Sequence, residues 1–523
     1  MIYKRIIISI LTIAICSRLF AQKSDELPPK LDEYIAKVLQ TFEVPGMSVS
    51  IVKDGKVLLT KGFGVKKIDE QAGVDEHTLF SIASNSKAFT ATALALLVED
   101  GKLKWDDPVI NYLPWFRMSD PYVTMHLTVR DLLVHHSGIG AYSGDYLIFP
   151  PSTYSRKEIV SKVAKLPMAH GFRTTYAYDN ILYLAAGEVI STVSSTDWED
   201  FVKARILDKI GMNETITRFS QMKSQPNVSS AHIRYNDTVR ALEQYSDQAI
   251  GDAGDPAGGI ASNAADMAKW MMTQLDSGKT QQSVPLYKPA TTKELWKIVQ
   301  PIPIDKISAD IAPAQMDFWG YALGFRSYNY QRYKVVGHGG KLDGFVSQVV
   351  MVPDLKLGIT VLTNQESTGA YWSVIYHVLD YYMNNKPFDW ITGYKKIMDS
   401  SIAKSKSGQV PVILPDQSIV KPPLPYEKYE GTYRDAVYGD LSITKEATGL
   451  VLRFTHTPQF TADLKYFQHD TFVAQFRNRD LRSDSYVTFA LNPDGSVDQV
   501  KLKIIDPDSD SNFNDLLFKS TKK

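Results

Sequence analysis

Cysteine is nearly absent: Cys16 is the only one in 523 residues, and it lies in the leading apolar stretch. A mature chain cut after it has no thiol, which excludes disulfides, thiolate zinc sites and a cysteine nucleophile. Net charge is lacking too. Lys plus Arg and Asp plus Glu both total 58, so no global field draws the chain to nucleic acid or to an anionic membrane. No phosphate loop, Gly-x-Gly-x-x-Gly, His-Glu-x-x-His or Gly-x-Ser-x-Gly occurs, and nucleotide, zincin and α/β-hydrolase chemistry lose their main support. Asp506-Pro507-Asp508-Ser509-Asp510 has the acid spacing of a calcium loop without its Gly at the sixth position or Glu at the twelfth, and reads as a solvated loop. Catalysis, if present, is left with oxygen nucleophiles or a metal held by His and carboxylates. No motif calls for a metal or any other cofactor.

What is present is ordinary for a soluble globular chain, with 44% apolar and 22% charged residues. The length exceeds what one hydrophobic core fills, so two domains are expected. Met1-Ile2-Tyr3-Lys4-Arg5, the apolar run Ile6 to Ile15 and Ser17-Arg18-Leu19-Phe20-Ala21 read as a signal peptide over residues 1–21. Arg18 interrupts the run too early for a membrane anchor. Export to the periplasm or beyond, with no stable anchor after cleavage, is the expectation.

Leu31 to Phe42 has helical spacing, and Met47 to Val52 and Val57 to Leu59 flank Asp54-Gly55, a hairpin signal. From Ser84 the pattern turns helical. Strand runs return at Lys334 to Val336, Val346 to Val352 and Leu357 to Leu362. One antiparallel sheet from early and late strands, flanked by helices and interrupted by a mostly helical lobe, is the expected α/β (α+β) fold of residues 25–390. Residues 391–424, rich in Lys, Ser and Pro, read as a linker. Short strand runs such as Gly431-Thr432-Tyr433, Leu450 to Phe454 and Val500 to Ile504 predict an all-β barrel over 425–523.

Three short elements carry chemistry. Ser84-Asn85-Ser86-Lys87 opens a long apolar helix, where residues three apart share a face and an ammonium reaches a hydroxyl. Free N–H groups there suit an oxyanion. Tyr176-Ala177-Tyr178-Asp179-Asn180 precedes a second apolar helix, and Gly337-His338-Gly339-Gly340 lies between strand runs. Taken singly, each has a plain structural reading: Ser84 as a helix cap with a solvated Lys87, Tyr178 as a bonded core phenol, and the glycines as a turn.

In this order the three elements resemble the penicillin-recognising serine hydrolases: DD-peptidases, class C-type β-lactamases, and related esterases and D-aminopeptidases. The resemblance covers roughly Leu31 to Asn385. It extends to Leu127-Thr128-Val129-Arg130-Asp131-Leu132-Leu133 with His135-His136-Ser137-Gly138, to Pro256-Ala257-Gly258-Gly259-Ile260, to Trp319-Gly320-Tyr321-Ala322-Leu323-Gly324 and to Val361-Leu362-Thr363-Asn364. The tail resembles the lipocalin-like domain of some of these hydrolases, and no motif marks chemistry on it.

The resemblance implies that Ser84 attacks an acyl carbonyl, that Lys87 and Tyr178 share the proton work, and that His338 stands beside them. It implies that Asn180 orients Lys87 and the substrate amide, with Gly339 and Gly340 on the substrate-binding strand. The Ser84 and Lys341 N–H groups would form the oxyanion hole. A lysine starts near pKa ~10.4, so acting as base at neutral pH needs about 4 kcal/mol of environmental bias. The alternative, a charged Lys87 holding Tyr178 as phenolate, stays open. His338 and Gly339 replace the lysine and hydroxyl residue that grip a carboxylate in most β-lactamases. That turns the expectation to a D-amino-acid peptidase, aminopeptidase or esterase, acting on a small peptide or ester, cell-wall material included. A true β-lactamase or DD-carboxypeptidase, and a non-enzymatic cell-wall or peptide binder, are the alternatives.

Overall fold

A computed structural model describes residues 26–522, except 236–237, 243–248, 282–283, 409–411, 417–419, 448 and 507–512. The expected signal peptide with Cys16, and the acidic run after Asp506, lie outside the described residues.

The chain opens with α1 (Leu31–Phe42), whose Leu31, Ile35, Val38 and Phe42 form one buried face. Asp32 and Glu33 fill its first turn, where the helix dipole favours them. Strands β1 (Gly46–Lys53) and β2 (Lys56–Gly64) follow as the expected hairpin. Asp54 and Gly55 both have positive φ, 51° and 77°, as the favoured two-residue hairpin turn demands.

The lobe then begins with β3 (Phe80–Ser81) and α2 (Ser86–Glu99). It continues through α3 (Ile181–Ser194), the hairpin β4 (His232–Tyr235) and β5 (Thr238–Ala241), and β6 (Ala261–Ser262). Helix α4 (Ala264–Leu275) returns the chain to the sheet. Strands β7 (Gln300–Pro301), β8 (Trp319–Tyr321), β9 (Arg326–Tyr330), β10 (Tyr333–Leu342), β11 (Phe345–Val352) and β12 (Leu357–Thr363) complete it in the order β2-β1-β12-β11-β10-β9-β8-β7. Early and late strands thus share one antiparallel sheet, with Val49 opposite Val361 and Ile51 opposite Ile359.

Helix α5 (Thr368–Met383) packs with α1 on one face of the sheet, while α4 covers the other. Helix α6 (Trp390–Gly408) packs on α5 and α1, which corrects the expected linker over 391–424: its first half belongs to the catalytic domain. Trp390 is fully buried, stacks on Tyr376 at 4.4 Å and donates its indole N–H to Asp380 at 2.7 Å.

The tail closes into an eight-stranded antiparallel barrel, β13 (Gly431–Asp435), β14 (Gly439–Glu446), β15 (Gly449–Phe454), β16 (Thr461–Gln468), β17 (Thr471–Phe476), β18 (Ser485–Leu491), β19 (Val497–Ile504) and β20 (Phe518–Ser520). Two groups of buried rings pack inside it: Phe454, Phe460, Phe476 and Phe513 in one, and Tyr429, Phe472 and Phe489 in the other. An eight-stranded barrel is just wide enough to be filled in this way. The barrel docks on the lobe beside α3, and Arg240 of β5 pairs with its Asp480 at 2.8 Å. Among the described residues no helix is long and apolar enough to cross a membrane.

Candidate active site

The turn before α2 is fixed from both sides. β3 pairs with β6, Ile82 N–H donates to Ile260 O at 3.0 Å, and the Ser347 hydroxyl donates to Ile82 O at 2.7 Å while accepting from Asn85 Nδ2 at 2.8 Å. Ala83 is held at φ 46°, an unusual value for a residue with a Cβ, directly before Ser84. A Cβ on Gly340 would lie 2.0 Å from Ile82 O, so β10 presses on the Ser84 turn only because that position is glycine. The plain reading of the first motif fails. The N-cap of α2 is Asn85, no side chain caps the helix, and Lys87 is fully buried in a helix buried on all sides from Ser86 to Leu97.

Lys87 Nζ lies 2.8 Å from Asn180 Oδ1, 2.7 Å from Ala257 O and 3.1 Å from Ser84 Oγ. Burial drives its pKa down to about 7, aided by the Arg326 charge and opposed by Asp145 and Asp179. A neutral amine has two N–H bonds and one lone pair. The two carbonyl oxygens accept the N–H bonds, and the lone pair is left facing the Ser84 hydroxyl.

The second motif reaches the same point from α3. Its loop is pinned by Ala177 N–H to His135 O at 2.8 Å, Tyr142 N–H to Tyr178 O at 2.7 Å and Arg173 N–H to His136 O at 2.7 Å. The Tyr178 ring lies 5.1 Å from Lys87 Nζ. Burial raises the phenol to about 12, although Arg326 and the Ser84 hydroxyl pull it down. The phenol is therefore neutral, and of the two protonation schemes the geometry favours neutral Lys87 with protonated Tyr178. Asn180 spends one amide N–H on Asp145 Oδ2 at 2.9 Å and keeps the other for a ligand.

His338 sits on β10, ring centroid 6.5 Å from that of Tyr178, and both its nitrogens are engaged. Nδ1–H donates to Gly339 O at 2.6 Å, which fixes the tautomer, so Nε2 accepts from the Tyr321 hydroxyl at 2.8 Å. Burial first, then the Arg326 charge, hold its pKa well below the usual histidine value. His338 is thus a neutral wall rather than a second cation. Gly339 and Gly340 continue the strand, and Lys341 lies opposite Val346 with its ammonium 3.2 Å from Glu366.

This arrangement, a hydroxyl facing a desolvated amine beside a protonated phenol, fits acyl transfer. The family comparison agrees, since residues 31–379 match the Beta-lactamase model. The chain belongs to the Beta-lactamase family. That family falls in the penicillin-binding serine hydrolase superfamily, and residues 416–520 match a domain of unknown function, DUF3471. Similar curated proteins include an unguisins hydrolase of Aspergillus campestris, 28% identical over 80% of this chain and 78% of its own, and another of Aspergillus violaceofuscus, 26% identical over 90% and 87%. An octameric penicillin-binding protein homologue from Pyrococcus abyssi shares the fold at TM-score 0.55, 21% identity, 94% of this chain and 99% of its own. The D-amino acid amidase of Ochrobactrum anthropi does so at TM-score 0.55, 20% identity, 68% and 99%.

Within this Beta-lactamase-family domain the structure brings Ser84, Lys87, Tyr178 and Asn180 together and sets His338 one ring behind. Sequence reasoning missed Asp145, Arg326 and Tyr321. Asp145 is half-buried, and desolvation of its carboxyl raises its pKa despite Asn180 and Lys87. Arg326 lies with Cζ 5.8 Å from the Tyr178 ring and 5.9 Å from Trp319, its Nε has no partner, and among the described residues no carboxylate pairs with it. Tyr321 belongs to the Trp319–Gly324 signature, and its neighbour in the ladder is Arg326. A cation opening a strand that leads into the His338 strand was the one available signal.

Proposed function

We propose that the protein hydrolyses amide or ester bonds of small peptide-like substrates through an acyl-enzyme on Ser84. The lone pair of Lys87 facing Ser84, fixed by Asn180 and Ala257, carries this reading. Ser84 Oγ attacks the carbonyl and gives its proton to Lys87. The oxyanion is taken by the Ser84 and Lys341 N–H groups. The proton passes through Tyr178 to the leaving group, and water repeats the sequence in reverse. The free N–H of Asn180 meets the substrate amide.

The two relatives named as unguisins hydrolases support a hydrolytic reaction. Within that class we favour a D-amino-acid peptidase or aminopeptidase, with esterase activity alongside. Neutral His338 and the missing hydroxyl at Gly339 argue against efficient β-lactam turnover. Export is part of the same proposal. The test is intact mass after a fluorophosphonate probe, against Ser84→Ala, followed by D-alanyl amides, short-chain esters and nitrocefin. One adduct confined to wild type, with amide turnover above nitrocefin turnover, is the expected result. No adduct on folded protein favours the binding-protein alternative, and rapid nitrocefin turnover favours the β-lactamase. The mass of the exported chain also reads the cleavage expected near Ala21.

A further inference from the structure

One loop, residues 139–155, is shared by the two domains. Facing the site, Tyr142 N–H donates to Tyr178 O at 2.7 Å, and Asp145 Oδ2 accepts from Asn180 Nδ2 at 2.9 Å. Facing the barrel, Gly144 N–H donates to the Tyr438 hydroxyl at 3.2 Å, in a buried contact. The Tyr146 ring lies 5.1 Å from Phe513 and 5.9 Å from Tyr438, Thr153 N–H donates to His456 O at 2.8 Å, and Tyr154 stacks on His456 at 4.0 Å. Gly144 and Asp145 are neighbours in the chain, so a hydroxyl of the barrel holds the Gly144 N–H one residue before the carboxyl that meets Asn180. Gly144 has φ 86°, and a Cβ there would lie 2.8 Å from Ile181 Cδ1, so the loop fits against α3 only with glycine at this point.

Donor and acceptor roles run one way along this line. With Asp145 ionised, its Oδ2 only accepts, so the Asn180 NH2 faces it and the Asn180 carbonyl faces Lys87. That carbonyl takes one Lys87 N–H, which leaves the amine lone pair for Ser84. An Asn180 amide turned the other way would point N–H bonds at an amine and break the arrangement. Asp145 Oδ1 is buried without a hydrogen-bond partner, so beyond the Asn180 bond the carboxyl is placed by its backbone, which is bonded to Tyr142 O at 3.1 Å and to the Ile148 and Phe149 N–H groups at 2.8 Å. On the barrel side the turn is well fixed: Asp435 Oδ1 accepts from Val437 and Tyr438 N–H at 2.7 and 2.9 Å, and its Oδ2 accepts from Leu517 N–H at 2.8 Å.

We propose that the barrel is a splint for catalysis: Tyr438 fixes the Gly144 N–H, one residue before Asp145, and Asp145 is the positioning residue that orients Asn180 and, through it, Lys87. This rests on Ser84 being the nucleophile. It gives the DUF3471 barrel a task that needs no ligand.

The experiment uses the full chain and the fluorophosphonate probe, comparing wild type with Tyr438→Phe, Tyr438→Ala and Asp145→Asn. It reads the maximal labelling rate, the half-saturating probe concentration and amide hydrogen exchange over residues 139–155. Leaving the Gly144 N–H unpaired is expected to lower the maximal rate of Tyr438→Phe about tenfold. Half-saturation should stay unchanged and exchange at the loop should rise. Asp145→Asn, whose amide can present either face to Asn180, is expected to lose about a hundredfold with the loop still protected. Tyr438 variants that fold and label as fast as a labelling wild type overturn this inference alone. A wild type that does not label overturns the nucleophile assignment and this inference with it.

Discussion

The catalytic cluster and the barrel solve burial in opposite ways. Around Ser84 the chain buries or half-buries an amine, two carboxyls, two imidazoles and a guanidinium, and leaves Asp145 Oδ1, Asp179 Oδ2, His135 Nε2 and Arg326 Nε without hydrogen-bond partners. Among the described residues the barrel contributes no such atom. Its interior is aromatic, its buried Asp435 has both oxygens bonded to backbone N–H groups, and pairs such as Arg477 with Asp463 stay on the surface. Such buried atoms each cost free energy; all of those among the described residues lie in the larger domain, the four charged or titratable groups around Ser84 among them, and none in the barrel.

The strongest way to break that contrast is Lys87→Met. It should lower kcat about a thousandfold or more, as loss of a catalytic base does, while the melting temperature holds or rises because a desolvated amine is gone. The pH dependence sharpens it. Lys87 has about 7 in the folded chain against 10.5 when unfolded, so the unfolded state binds more protons between those values and this group makes stability rise with pH across that window. Denaturant melts should lose that slope in Lys87→Met. In the barrel the opposite signature is expected. Phe472→Ala should cost about 3–5 kcal/mol of stability through lost ring packing, read by the same melts.

These regions were also unequally legible. The hairpin at Asp54-Gly55, the helix at Leu31 and most barrel strands follow local rules of turn chemistry and alternation. Ser84, Lys87, Tyr178 and Asn180 were visible because each sits in a short motif next to a helix start. Asp145 carries no local mark and Arg326 only its place as a cation opening a strand: both reach the site only through tertiary folding. Helix α6 was hidden by its Lys- and Ser-rich solvent face, although Trp390, Ile391, Tyr394, Ile397 and Met398 have helical spacing and pack inward. The glycines of β10 read as room for a substrate, and at Gly340 the space is taken by the turn that carries Ser84.

A smaller effect is expected at the missed cation. Arg326 lowers the pKa of Lys87 and of Tyr178, so Arg326→Met should move the acid limb of kcat/KM to higher pH and cut the rate at pH 7 about tenfold, with Arg326→Lys restoring part of both. An unmoved limb would remove Arg326 from the electrostatics of the site. Smallest of all, Arg477→Ala on the barrel surface should change stability by less than about 1 kcal/mol in denaturant melts and leave kcat unchanged.

The most direct test of the account is the rate of Ser84 labelling by the fluorophosphonate probe as a function of pH, read by intact mass on wild type and Ser84→Ala. The account predicts a single adduct absent from Ser84→Ala, formed at a rate that rises through about pH 7 as Lys87 loses its proton and stays high beyond it. An adduct that persists in Ser84→Ala, or a wild-type rate flat across neutral pH, would contradict it.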